Sequence, residues 1–140
     1  MITLATLPRA TKQQVFNQVV SHARKQREHC TVGARDGSVN PSSCNYRLKG
    51  TRLMCFGGCL ISNKEYDDAF EASNWDTLVN EGSIPPAHCH FIRELQMIHD
   101  AHFVDDWDYQ FNEFAEKHSL KYTSRQIKPK KEPKQLNGRK

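Results

Sequence analysis

The sequence predicts a small α+β domain: an N-terminal helix, one β-hairpin and several further helices, followed by a basic tail. Three observations point there. Thr11-Lys12-Gln13-Gln14 has the pattern of a capping box and opens an apolar stripe at helical spacing. Residues 44–56 read as two short strands around Lys49-Gly50, where glycine supplies the positive φ of a tight turn. Two more stripes of helical period follow Pro85-Pro86. In the first helix Val15, Phe16, Val19, Val20 and Ala23 supply one buried face, and Arg24, Lys25, Arg27 and Glu28 a polar end near residue 28. From Glu28 to Ser43 the chain is aperiodic and carries Gly33, Gly37 and Pro41, so residues 29–43 form a long loop and a candidate contact surface.

A two-residue turn at Lys49-Gly50 sets Cys44 opposite Cys55 and Tyr46 opposite Leu53 on an inward face. Arg47 and Arg52 then oppose each other on the outward face. Gly57-Gly58 ends the second strand, and Cys59-Leu60-Ile61 turns into the core. Ser62-Asn63-Lys64-Glu65 is a second capping box, expected to start a short helix with Tyr66 and Phe70. Asn74 caps a helix through Trp75, Leu78 and Val79 that stops at Gly82. Pro85-Pro86 suits the first turn of a longer helix to about His102, with Phe91, Ile92, Leu95, Ile98 and His99 or His102 inward. Val104 and the acids after it introduce a last helix to His118, with Trp107, Phe111, Phe114 and Ala115 on its core face.

The chain has 140 residues with formal net charge +4, and this charge is unevenly placed. Residues 121–140 hold eight of the 20 Lys and Arg and one acid, a local +7, which leaves the first 120 at −3. Residues 8–120 are therefore expected to form the compact domain and 121–140 a disordered basic tail, because like charges repel and prolines break helices. No stretch approaches the roughly 20 apolar residues of a membrane span, and the first residues lack a signal-peptide pattern, so a cytoplasmic location is expected.

Five cysteines, an odd number, argue against complete pairing into disulfides. The hairpin register would bring Cys44, Cys55 and Cys59 together, and His88, Cys89 or His90, with His90 the candidate taken, can complete a tetrahedral zinc site, since zinc takes both thiolate and imidazole. C-x-x-x-C is not the tight zinc knuckle, however. The same thiols also fit small buried hydrophobes, and a Cys44–Cys55 cross-strand disulfide is a third reading. No catalytic set is identified: Cys89 lies between His88 and His90, but neighbours on a helix diverge by about 100°, which does not build a nucleophile and base. Gly57-Gly58 lacks the rest of a phosphate loop. In the tail, Tyr122, Arg125, Lys128, Lys130, Lys131 and Lys134 are candidate contacts to nucleic acid or to an acidic partner, with Arg47 and Arg52 on the hairpin as further candidates.

Cys44-x-Tyr46-Arg47, Gly50 and Cys55-x-x-Gly58-Cys59-Leu60-Ile61 together resemble a group of small bacteriophage and prophage proteins. Ala10-Thr11-Lys12-Gln13-Gln14-Val15-Phe16 and Leu95-Gln96-x-Ile98-His99-Asp100 extend the resemblance over much of residues 8–118. The 29–43 loop and the basic tail depart from it. The resemblance implies a phage accessory protein made inside a bacterium that binds a host component, and it carries over no functional residue. The leading expectation is thus a non-enzymatic protein that binds and modulates a host macromolecule of defence or transcription. A nucleic-acid-binding regulator, with or without a structural zinc, is the alternative, and a Cys/His-dependent enzyme the third.

Overall fold

The computed structural model describes residues 1–31 and 45–130, and among them the fold is helical. Four α-helices carry it: α1 (Lys12–Gln26), α2 (Trp75–Asn80), α3 (Cys89–Ala101) and α4 (Trp107–Lys117). Short 3-10 turns at Leu7–Arg9, Gly58–Leu60, Asp68–Ala72 and Val104–Asp106 link them. The expected capping box forms in full: Thr11 accepts from Gln14 N–H while the Gln14 side chain accepts from Thr11 N–H. Asn74 likewise caps α2 through Thr77 N–H. α3 starts later than Pro85-Pro86 suggests, because His88 takes a left-handed conformation (φ 59°) at its N-cap. There the His88 Nε2–H donates to Ala10 O at 2.7 Å, tying the start of α3 to the start of α1.

The core is where the apolar stripes place it. Val15, Phe16, Val19, Val20 and Ala23 of α1, Phe91, Ile92, Leu95 and Ile98 of α3, and Trp107, Phe111, Phe114 and Ala115 of α4 are all buried. Aromatic rings join the helices: Phe16 stacks on Phe114 at 5.6 Å, and Phe56, between them and α3, meets Trp107 at 4.9 Å and His99 at 5.1 Å. Such pairs add about 0.5–1.5 kcal/mol each beyond the area they bury.

The α+β expectation is overturned, since no strand forms among the described residues. Residues 45–55 make a single antiparallel bridge, Arg47 to Met54. Leu48 N–H donates to Leu53 O and Cys55 N–H to Tyr46 O, a pairing two residues away from the expected register. Side chains of neighbouring elements hold the backbone on both sides of this bridge. Glu71 accepts from Tyr46 N–H at 2.9 Å and Arg47 N–H at 3.0 Å. Gln26 accepts from Met54 N–H and donates to Met54 O, to which His22 Nε2–H also donates. Arg47 and Met54 form the non-hydrogen-bonded pair, so their backbone groups point outward to these side chains, and of the groups named only Tyr46 N–H, bound by Glu71, is one that pairing with Cys55 would use. The second capping box also forms, between Ser62 and Glu65, yet it opens only a turn before the 3-10 segment.

Two other irregular stretches are held in the same way. Glu65 accepts from Leu4 N–H and Ala5 N–H, both at 2.9 Å, and so pins the N-terminal turn. Asp108 accepts from the Tyr122 hydroxyl, the Ser124 hydroxyl at 2.6 Å and Arg125 N–H at 2.8 Å. Residues 121–130, expected as the start of a tail, carry no helix or strand but lie against the body. Ile127 is buried at 2% exposure, Gln13 makes two hydrogen bonds to the Lys121 backbone, and Lys130 N–H donates to Arg27 O.

Candidate functional site

Zinc binding and cysteine chemistry both depend on the state of the thiols. Cys55 is fully buried behind the bridge, and its Sγ accepts from Gly58 N–H. Burial pushes its thiol well above the usual range, and pushes those of Cys30 and Cys59 up to about 12. Cys89 rises to about 11, through burial and through its hydrogen bond to Asp76. Thiols held protonated in this way are poor nucleophiles. His90 is exposed on α3, Tyr46 occupies the position across from Cys55, and Cys44 lies outside the described residues. No group of three or more His, Cys, Asp or Glu side chains is arranged to hold a metal among the described residues.

The buried histidines form a second cluster. His99 is wholly buried, accepts from Cys30 N–H at its Nε2 (3.1 Å) and donates from Nδ1 to Asp100 Oδ1 (2.7 Å). Those two bonds fix a neutral tautomer with its proton on Nδ1. A carboxylate orienting an imidazole is the arrangement of hydrolytic bases, but here the nitrogen that would act as base is occupied by a backbone amide. His29 lies 5.3 Å from His99, ring to ring, and donates from Nε2 to His102 O. Burial lowers the pKa of His22, His29 and His99 alike. The cluster is a packed polar core that joins residues 29–30 to α3 and α4.

The arginines of residues 45–52 have different fates. Arg47 lies over the Tyr66 ring, 5.1 Å from its centroid, and donates to Asn63 Oδ1 and Ile61 O. It is therefore a structural residue and not an outward contact. Arg52 is exposed at the turn.

The cationic groups that do come together lie along the seam between α1 and residues 121–125. A groove of about 550 Å³ follows this seam. Arg24 and Lys25 contribute from α1, and Lys121 and Arg125 from the other side. Its apolar floor is Phe16 and Val20, with Tyr122 beside them. The Tyr122 ring packs edge-on against Phe16 at 5.6 Å and Phe111 at 6.0 Å, and the Arg24 guanidinium lies over it at 5.3 Å. Arg24 also donates to Thr123 O at 2.7 Å. Burial and the bond to Asp108 raise the Tyr122 hydroxyl to about 12. With its ring packed and its hydroxyl bound, Tyr122 is a wall of the groove and not the base-stacking side chain expected of it. Lys128 and Lys130 continue the exposed cationic run, while Lys131 and Lys134 lie outside the described residues.

Arg24, Lys25 and Lys121 were not singled out by sequence as members of one site, since the first two read as a helix end. A signal was nevertheless present: Gln13, Asn17, Ser21 and Lys25 recur every fourth residue as one polar stripe, and α1 contains no acid. No helix among the described residues is long and apolar enough to cross a membrane. No family model, no curated protein and no solved structure matches this chain.

Proposed function

We propose that this chain is a non-enzymatic phage accessory protein that acts in the bacterial cytoplasm by docking on an acidic surface of a host protein, a component of defence or transcription. One observation carries the reading: Lys121, Arg125, Lys128 and Lys130 are exposed on a segment that is pinned to the body and contains no acid. A pinned cationic run pays less ordering entropy on binding than a free tail, and opposite charge speeds encounter with an acidic partner. The protonated thiols and the capped His99 favour binding over cysteine or histidine chemistry. The same run favours a second reading, phosphate neutralisation on nucleic acid, but the packed Tyr122 ring removes the aromatic platform from it.

Affinity co-purification of the tagged full-length protein from bacterial lysate, with and without nuclease, tests the proposal. The expected result is one host protein that survives nuclease treatment and is released by raised salt. Recovery of nuclease-sensitive nucleic acid alone overturns it.

A further inference from the structure

We propose that the groove between α1 and residues 121–125 is the contact site, and that it takes a short acidic peptide segment. This rests on the reading of the chain as a protein-binding module and specifies its surface. A volume of about 550 Å³ lies within the ~300–1,000 Å³ of ligand-sized clefts and has room for a short chain segment. Four cations line the groove, two from each side, so carboxylates on an inserted segment meet opposite charge in either direction. Lys25, Lys121 and Arg125 are exposed, and no salt bridge engages any of these four among the described residues. Phe16 and Val20 at its base are buried, so the groove meets a ligand through its cations and polar side chains. Asn17 and Ser21, exposed on the α1 side, add polar groups for a peptide backbone. A single-stranded nucleic acid would present phosphates to the same cations, but its bases would find the Tyr122 ring already covered by Arg24.

The test titrates three fluorescein-labelled probes into the full-length protein by anisotropy: the peptide Glu-Glu-Leu-Glu-Glu, its Gln-for-Glu counterpart and a thymidine hexanucleotide. The acidic peptide is expected to bind most tightly and the glutamine peptide not at all. The double variant Lys25→Glu with Arg125→Glu should weaken acidic-peptide binding about tenfold or more. Lys49→Glu with Lys64→Glu, exposed and outside both the groove and the cationic run, should change it less than about twofold. Thermal melts verify that both variants fold. Tighter binding of the hexanucleotide, or equal loss in both variants, overturns the inference. Capture of a host protein that persists in the Lys25→Glu, Arg125→Glu variant also overturns it while sparing the binding-module reading. Failure of every form to capture a host protein overturns that reading itself.

Discussion

Gly58 is the residue on which the packing of 45–60 turns. A Cβ there would lie 2.2 Å from Tyr46 O, a backbone atom that cannot swing away. Gly58→Ala should therefore cost about 1–3 kcal/mol or more, read as a lowered urea midpoint with an unchanged m-value. A neutral outcome would mean that the segment slides at no cost. The diglycine was legible as a special place in the sequence, but its reason was not: a close approach between segments 12 residues apart leaves no local periodic mark. The buried histidines make stability depend on pH. His22, His29 and His99 are held below their ordinary value of 6.5 by burial, so the unfolded chain binds more protons than the folded one as pH falls past that value. Their contribution is complete above about 6.5 and is lost progressively as pH falls toward their folded values. The urea midpoint should fall between about pH 7 and pH 5, and a flat or rising midpoint would show that the rings are solvated.

Among the elements, helices were legible and the irregular segments between them were not. A helix writes its hydrogen bonds and its buried face into a 3.6-residue period, as Val15 to Ala23 and Phe91 to Ile98 do. Residues 44–56 alternate well enough to suggest a hairpin, yet Gln26, His22 and Glu71 hold backbone groups of Tyr46, Arg47 and Met54, which alternation within the segment cannot reveal. The tail misled for a related reason. Its charge and prolines describe a solvated chain, whereas one aspartate on α4 and one isoleucine hold residues 122–127. Asp108 sits below the usual carboxylate range: burial works to raise it, but the Ser124, Tyr122 and Arg125 donors outweigh that effect. Asp108→Ala removes the acceptor of all three and should release the segment. Limited trypsin digestion followed by mass spectrometry should then show faster cleavage after Lys121 and Arg125 than in the wild type. Equal cleavage rates would mean that Asp108 is not what holds it.

For the whole molecule, the question is whether the cationic run is an appendage or a part of the fold. Charge alone makes it an appendage: a −3 body and a +7 end look like two units joined at residue 120. Packing makes it part of the fold. Ile127 is 2% exposed, and Tyr122 closes the aromatic cluster of Phe16 and Phe111. Full burial of an isoleucine is worth about 1.5–3 kcal/mol, a large share of the 5–15 kcal/mol that stabilises a domain. A chain ending at residue 120 also loses the three donors to Asp108 and the Gln13 clasp on Lys121. Such a truncation should thus melt well below the full chain, and Ile127→Ala alone should reproduce part of that drop. Loss of partner binding on truncation would then report unfolding and not a missing contact, which is why the paired charge reversal is the sharper probe of the groove. If the truncated chain melts with the full one, the segment packs without contributing stability, and its cations are a detachable arm after all.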